Sequence, residues 1–160
     1  GGIAAALSLA EYWAAGDSIA VVLGDNLIEG NICQAVTNFR EQDGGAKILL
    51  KEVPDPERFG VATLSGDRVT KIVEKPAQPE TNLAVIGIYM YDGTVWDIIG
   101  GLEPSKRGEM EITDVNNHFI ADGTMTFEVL DGWWTDAGTF ESLHRASNMV
   151  ADGGANKVGD

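Results

Sequence analysis

Three strand-like segments, separated by segments of helical periodicity, constrain the fold of this chain more than any other feature. A predicted strand at Ala46 to Val53 follows the amphipathic stretch at 31 to 42, and continuous apolar runs stand at Ile19 to Leu23 and at Leu83 to Tyr91, the most apolar strand. Such runs are typical of strands that are covered on both faces, as in a parallel sheet with helices on either side. The sequence therefore predicts an α/β layer fold.

Turn and cap signals predict the remaining elements. Residues 3 to 15 have the spacing of a helix that stops at Gly16-Asp17. Strands at Val61 to Leu64 and Arg68 to Val73, joined by a turn at 65 to 67, form a hairpin that interrupts the alternation and makes the sheet mixed. Later elements are predicted as helices at 94–101 and 111–121, strands at 124–130 and 133–134, and a helix from an N-cap at Thr139 to about residue 150.

We expect one domain over residues 1–150 and a disordered, glycine-rich tail over residues 151–160. The chain has 160 residues, which suffices for a single core. It begins with Gly1-Gly2-Ile3 rather than Met, and we therefore expect that an upstream segment is missing.

The charge of the chain argues against two classes of partner. It has 11 Lys and Arg against 25 Asp and Glu, a formal net charge of -14 and a pI near 4.3. Nucleic acids and anionic membranes would be repelled by this field, so neither is expected as a partner. A small anionic substrate is compatible with it if a few cations are concentrated in one cleft. The single cysteine, Cys33, and the lack of a membrane-length apolar run indicate a cytoplasmic protein.

Two aspartates stand where ligands collect in α/β sheets. Asp25 directly follows a buried strand, and Asp136 lies between an aromatic strand end and a capped helix. Mg²⁺ prefers one or two carboxylates together with substrate phosphates, which this pair could supply. A turn former at Asp25 and a helix entry at Asp136 are the structural alternatives, and the residues alone do not exclude them.

Two cations are prominent in this acidic chain. Lys75 follows the hairpin in the sequence Glu-Lys-Pro, and Arg107 lies in the densest basic stretch, Ser105 to Glu109. A lysine provides a point charge for a phosphate, and an arginine can bind a phosphate in bidentate fashion. The alternatives are a solvated lysine before a proline and a flexible basic loop.

Six ordered strings give these weak signals a common interpretation. They are LGDN (23–26), PERFGV (56–61), VEKP (73–76), VIGIYMYD (85–92), SKRGEMEITDVN (105–116) and WTDAGT (134–139). Over residues 2 to 150 the chain resembles the sugar-1-phosphate nucleotidylyltransferases, most of all the bacterial glucose-1-phosphate thymidylyltransferases. The resemblance implies a three-layer, Rossmann-like nucleotide-diphospho-sugar transferase fold with a mixed sheet.

The resemblance also implies substrates and roles for particular residues. The reaction would join a nucleoside triphosphate and a sugar 1-phosphate, with dTTP and glucose 1-phosphate as the expected pair and polysaccharide precursors as the expected products. Asp25 and Asp136 match the ligands of the catalytic Mg²⁺, and Lys75 and Arg107 match residues that bind the sugar phosphate. The remaining matches are to residues around the sugar and the base: Phe59 and Gly60 beside the sugar, Glu74 and the Gly87 backbone at its hydroxyls, Trp134 as an aromatic wall and Gly2 at the base pocket.

Two departures from the family pattern shape the expectations. Ile86 stands where the family often has Thr or Asn, which leaves the sugar open. The family's opening strand and G-x-G-T-R-L loop have no counterpart, so we expect that the first βα unit is missing, that the fragment is inactive, and that an uncovered sheet edge favours a homo-oligomer. A non-catalytic module that binds nucleotide sugars or sugar phosphates, and an interaction domain, are the alternatives.

Overall fold

A computed structural model describes residues 1–157 of the chain. Six α-helices lie within this range: α1 (Ile3–Ser8), α2 (Glu11–Ala14), α3 (Cys33–Glu41), α4 (Val95–Gly100), α5 (Ile112–Ala121) and α6 (Phe140–Gly153), with a short 3₁₀ helix at Pro56–Arg58. The strands are β1 (Ile19–Val22), β2 (Asn26–Ile28), β3 (Ala46–Glu52), β4 (Gly60–Ser65), β5 (Arg68–Glu74), β6 (Leu83–Tyr91), β7 (Met125–Val129) and β8 (Trp134–Asp136). None of the helices in this range is both long and apolar enough to cross a membrane.

The main sheet is mixed, as the sequence predicts. Its order is β5-β4-β6-β3-β7, and β1 also pairs with β6. One edge of β6 carries β3, while the other carries β4 at its beginning and β1 at its end, all antiparallel to β6. Among the strands of residues 1–157, only β3 and β7 pair in parallel. The strands β1 and β3, which flank α3 in sequence, therefore run in the same direction but are separated by β6.

Helices cover both faces of the sheet, which confirms the predicted layer fold. Alternate residues of β3 belong to different cores: Ile48 and Leu50 pack with α1, α4 and α5, whereas Leu49 packs with α3. The same alternation divides β6, with Tyr89 and Tyr91 on the first face and Ile88 and Met90 on the second. Period-two alternation across a strand explains this division. Strands that are covered on both faces are therefore mostly apolar, and the buried Lys47 of β3 is paired with Glu128 at 3.1 Å.

The prediction that β1 is covered on both faces is wrong for residues 1–157. Ile19 and Val21 pack against the first core, but Ala20 and Val22 are exposed, and Val22 is 54% accessible. The apolar run reports the residues' preference for burial, whereas cover depends on whether a helix lies over each face. In this part of the chain β6 is the only strand that pairs with β1.

The predicted first helix is divided into α1 and α2. The N–H groups of Leu9 and Ala10 donate to carbonyls three residues earlier, at Ala6 and Leu7, in a tight 3₁₀ turn between the two helices. The second helix ends at Ala14 and is capped by Ala15, which has a left-handed conformation with φ of 50°, close to the predicted stop at Gly16.

The last helix begins where the sequence predicts but ends later. The Thr139 hydroxyl accepts a hydrogen bond from the Ser142 N–H in a capping box, and α6 continues to Gly153 rather than residue 150. Asn156 and Lys157 then donate backbone hydrogen bonds to the carbonyls at positions 28 and 29. Residues 151–153 thus belong to α6, and the backbone at 156 and 157 pairs with the last residue of β2 and the residue after it. The disorder expected of the tail stays a prediction. Residues 158–160, the rest of that tail, lie outside the described range.

Candidate active site

A small second sheet brings the two predicted aspartates together. The strands β2 and β8 are antiparallel, with Asn26 opposite Asp136, and the Ala137 N–H donates to the Asp25 carbonyl at 2.7 Å. The sequence did not predict β2, because three residues are too few to show a strand period. This pairing joins two segments that are 111 residues apart.

The carboxylates of Asp25 and Asp136 border one small space beside Gly138. A Cβ at Gly138 would lie 3.1 Å from Asp25 Oδ2 and 3.7 Å from Asp136 Oδ2, so the glycine keeps this space open. Oxygen pairs of this kind fit Mg²⁺, which takes one or two carboxylates and completes its shell with waters and phosphates. Over residues 1–157 no larger group of His, Cys, Asp and Glu side chains comes together as a metal site. The donor set therefore fits an ion that a substrate phosphate would also ligate.

Asn26 connects three of the predicted site residues. Its Nδ2 donates to Asp25 Oδ1 at 2.9 Å, and its Oδ1 accepts from the Gly87 N–H at 2.9 Å and from Trp134 Nε1 at 2.7 Å. The amide orientation follows from these partners, because both N–H groups need an acceptor. Sequence reasoning did not assign Asn26 a role, although it lies in the LGDN string.

A cleft of about 240 Å³ opens at this end of the main sheet. All of the predicted site residues except Gly2 and Arg107 line it, in the set Asp25, Phe59, Gly60, Glu74, Lys75, Gly87, Trp134 and Asp136. Residues that the sequence did not single out complete the wall, among them Asn26, Arg58, Tyr89, Glu111, Thr113 and Asn116. We call this space the site cleft.

One wall of the site cleft combines aromatic rings with a carboxylate. The rings of Phe59 and Trp134 meet edge to face, with centroids 5.2 Å apart. Glu74, which is opposite Gly60 in the β4–β5 register, accepts a hydrogen bond from the Thr113 hydroxyl at 2.6 Å. Apolar ring faces beside a fixed hydrogen-bonding carboxylate suit a polyhydroxylated ligand.

The backbone of Gly87 is already engaged on both sides. Its N–H donates to Asn26, and its carbonyl accepts from the Leu23 N–H at 2.8 Å. A hydrogen bond to a sugar hydroxyl would therefore use the second lone pair of the Gly87 carbonyl. The glycine is needed for packing as well, since a Cβ there would lie 2.5 Å from Asn26 Nδ2.

Lys75 is an exposed cation at the rim of the site cleft. Its N–H donates to the Phe59 carbonyl at 2.9 Å, and its backbone has a positive φ of 43°. Such conformations are uncommon for residues with side chains and are concentrated at functional sites. Within residues 1–157 the ammonium of Lys75 has no ion pair, which leaves it available to an anion.

The other predicted phosphate ligand, Arg107, does not line the site cleft. Its guanidinium pairs with Glu74 at 3.4 Å, Glu109 at 3.3 Å and Glu111 at 3.4 Å. Two of these carboxylates, at 74 and 111, line the cleft themselves. Arg107 therefore lies immediately behind the wall and would have to leave carboxylate partners to contact a phosphate.

Gly2 also lies outside the lining. It has a φ of 102°, and a Cβ there would lie 2.9 Å from the backbone nitrogen of Met110. Its neighbour Ile3 does line the site cleft. The structure thus shows a packing reason for this glycine, and its role at a base pocket stays a prediction.

Arg58 is a cation of the site that sequence reasoning missed. Its Nη1 donates to Asp55 Oδ2 at 2.7 Å, its Nη2 lies 3.5 Å from both oxygens of Asp136, and the guanidinium lies 5.1 Å from the Phe59 ring centroid. The hydrogen bond to Asp55, with the charge of Asp136 adding to it, raises the pKa of Arg58 above its ordinary value. The string PERFGV contained this arginine, but nothing local indicated that it reaches Asp136.

Fold and site together define a class of protein. It is an α/β protein with a mixed sheet, and the aspartates at 25 and 136 and the cations at 58 and 75 border one cleft at the end of that sheet. Residues 1–153 match the family model described as nucleotidyl transferase. The chain belongs to the nucleotidyl transferase family.

Individual relatives agree with this assignment. The chain is 39% identical to the low-salt glycan biosynthesis nucleotidyltransferase Agl11 of Haloferax volcanii, over 94% of this chain and 43% of the relative. It is 38% identical to a glucose-1-phosphate thymidylyltransferase of Neisseria meningitidis, over 93% of this chain and 53% of the relative. The chain therefore spans about half the length of these curated relatives.

Solved structures match the fold over most or all of the chain. A crystal structure of a protein assigned as a glucose-1-phosphate thymidylyltransferase from Bacillus anthracis, in complex with sucrose, matches with a TM-score of 0.90 and 46% identity, covering 100% of this chain and 64% of that one. A UDP-glucose pyrophosphorylase structure with UDP-glucose matches with a TM-score of 0.84 at 24% identity, covering 94% of this chain and 62% of that one, and it supports the fold alone.

Proposed function

We propose that the protein containing this chain transfers a nucleotidyl group from a nucleoside triphosphate to a sugar 1-phosphate, and that residues 1–150 form most of the transferase domain. An oxygen of the sugar phosphate attacks the α-phosphorus of the triphosphate. The bond from that phosphorus to the oxygen bridging the α- and β-phosphates breaks, and pyrophosphate leaves with this oxygen. The products are a nucleoside diphosphate sugar and pyrophosphate.

The observation that carries this proposal is the meeting of Asp25 and Asp136 at the space beside Gly138, within a cleft that Lys75 borders. Two anions have to approach each other for this reaction, so a site for it needs both a cation ligand set and fixed positive charge. The molecule as a whole carries a net charge of -14, which makes local cations at the site cleft necessary.

Each residue has a distinct part in this proposal. Asp25 and Asp136 would hold Mg²⁺, which when bound neutralises phosphate charge and favours an in-line geometry. Lys75 would hold the phosphate of the attacking sugar, with Arg107 behind it as a second candidate. Glu74 would orient the sugar through its hydroxyls, and the rings of Phe59 and Trp134 would pack against it.

We propose dTTP and glucose 1-phosphate as the substrates, because the glucose-1-phosphate thymidylyltransferase of Neisseria meningitidis is 38% identical over 93% of the chain. We further propose that the 160 residues alone bind the sugar phosphate without turnover, because they include no Gly-rich loop with an arginine to hold a triphosphate.

We also propose that copies of the chain associate through the free edge of β1. Light scattering that shows only monomers would refute this proposal.

Calorimetric titration of the chain with glucose 1-phosphate and Mg²⁺ tests the site. Lys75→Met should weaken binding roughly 10- to 100-fold, since a charge-assisted hydrogen bond contributes about 1.5–3 kcal/mol. Lys71→Met is the matched control, because Lys71 lies on the same hairpin but pairs with Glu80 away from the cleft. Equal loss in both variants, or no binding by the wild-type chain, would overturn the proposal.

Pyrophosphate release from dTTP and glucose 1-phosphate tests the reaction. We expect the complete gene product to turn over these substrates. The substitutions Asp25→Asn and Asp136→Asn should each abolish that turnover. Tight binding without any turnover by that product would instead favour a non-catalytic module that binds nucleotide sugars. Rapid turnover by residues 1–160 alone would contradict the proposed inactivity of this chain.

A further inference from the structure

Arg58 contacts two carboxylates, and one of the contacts is much shorter than the other. Its contact with Asp55 is a direct hydrogen bond of 2.7 Å, whereas both contacts with Asp136 are 3.5 Å, at the outer limit of hydrogen bonding. The guanidinium also lies over the Phe59 ring at 5.1 Å. It could therefore leave Asp136 and still retain a carboxylate and an aromatic face.

The Asp136 carboxylate is largely buried and has few cations within reach. The Asp136 side chain is only 15% exposed, and its Oδ2 accepts from the Ser142 hydroxyl at 3.2 Å. A second arginine, Arg145, approaches Asp136 Oδ1 at 3.8 Å from α6 but does not line the site cleft. Among the residues that the structure describes, Arg58 is thus the cation that reaches this carboxylate from within the cleft. Arg58 and the Ser142 hydroxyl together fix the orientation of this largely buried carboxylate, and the guanidinium offsets its charge.

A divalent ion between Asp25 and Asp136 would change this balance. Its two positive charges would repel a guanidinium 3.5 Å from the same carboxylate and would replace it as the partner of Asp136. The contact with Asp55 would hold the displaced arginine within the cleft, close to Phe59.

We propose that Arg58 is a positioning residue that holds Asp136 before a divalent cation arrives, gives way to the ion, and thereby weakens and tunes its binding. This inference rests on the proposed function, because it takes Asp25 and Asp136 as the metal ligands. It adds that a side chain of the protein itself, Arg58, competes with the ion for Asp136.

Direct titration with Mn²⁺, followed by electron paramagnetic resonance of the free ion, tests the inference without substrate or turnover. Mn²⁺ serves as the probe because, like Mg²⁺, it prefers oxygen ligands. Arg58→Gln should lower the Kd for Mn²⁺ roughly 3- to 10-fold, the effect of removing a nearby, partly screened charge. Arg145→Gln should lower it less, and Arg68→Gln, an equal charge change at the exposed hairpin, should leave it within about twofold of wild type.

A second variant gives a shift of opposite sign while Arg58 remains in place. Asp55→Asn removes the competing carboxylate, so Arg58 should bind Asp136 more closely and raise the Kd for Mn²⁺. Thermal melts in EDTA provide a separate readout: Arg58→Gln should melt below wild type, and saturating Mn²⁺ should reduce the difference.

Weaker or unchanged Mn²⁺ binding in Arg58→Gln would overturn the inference, as would tighter binding in Asp55→Asn. An absence of Mn²⁺ binding in both wild type and Arg58→Gln would overturn it as well. A failure of the proposed function is distinguishable, because loss of sugar phosphate binding or of turnover leaves the Mn²⁺ titration interpretable by itself.

Discussion

Replacing Asn26 by alanine should destabilise the chain by about 2–4 kcal/mol, because this amide satisfies two N–H donors from different segments. The Gly87 N–H is buried and would lose its acceptor, at a cost of about 1–3 kcal/mol for an unsatisfied buried group. Trp134 is only half-buried, so water can partly replace the acceptor of its Nε1–H and its loss should cost about 1 kcal/mol. The sum is a large part of the 5–15 kcal/mol that typically stabilises a domain.

Urea denaturation, with the free energy of unfolding and its urea dependence fitted together, measures this loss. Asn26→Asp is the matched control, since it retains an oxygen acceptor for both N–H groups and loses only the donor to Asp25. Measurement in about 0.5 M salt screens the added repulsion between carboxylates at 25 and 26. A loss below about 0.5 kcal/mol in Asn26→Ala, or a larger loss in Asn26→Asp than in Asn26→Ala, would refute the reasoning.

Three further predictions concern other parts of the chain. Gly87→Ala would place a carbon 2.5 Å from the same asparagine and should cost about 1–3 kcal/mol in thermal melts, whereas Gly100→Ala, which meets no atom within 4 Å, should change stability by less than about 1 kcal/mol. Tyr91→Phe leaves a buried amide oxygen without its 2.7 Å donor and should cost about 1–2 kcal/mol in urea titrations; an equal loss in Tyr12→Phe, where the ring is 85% exposed, would contradict this. Burial raises the pKa of Asp92, but hydrogen bonds from a threonine and a backbone N–H outweigh it, so the pKa is lower than the 3.8 of an unperturbed aspartate. The stability that charged Asp92 contributes should be complete above pH 3.8 and be lost as the pH falls through the lowered pKa. The difference between wild type and Asp92→Asn should therefore persist at pH 7 and shrink in melts as the pH is lowered below 3.8.

Residues with strong local signals were predicted closely. The strand Leu83–Tyr91 has the predicted bounds, and the capped start of α6 at Thr139 was also predicted, because burial of an apolar run and capping of a helix depend on adjacent residues. Asn26 and Arg58 were missed for the opposite reason. Their partners at 87, 134 and 136 are far away in sequence, and no local pattern distinguishes these side chains from a turn residue and a solvated cation.

The tail and β1 also show that local sequence cannot predict contacts with distant segments. Residues 151–157 have the composition of a loose end, yet residues 151–153 continue α6 and the N–H groups of 156 and 157 donate to the carbonyls of 28 and 29. The apolar strand β1, in turn, has one exposed face. Composition reports what each residue prefers, whereas order and cover depend on whether a partner lies within reach.

The sequence by itself determined most of the segments that are strands and helices, that the molecule is strongly acidic, and which residues resemble a known site. Only the tertiary structure decided that β6 separates β1 from β3, that β2 pairs with β8, and that Asp25 and Asp136 therefore share one space. The physical reason is that periodicity records the environment of each segment, which its own residues largely fix. Pairing between distant segments depends on the packing of the whole chain, because closure of a long loop is stabilised only by contacts that form together.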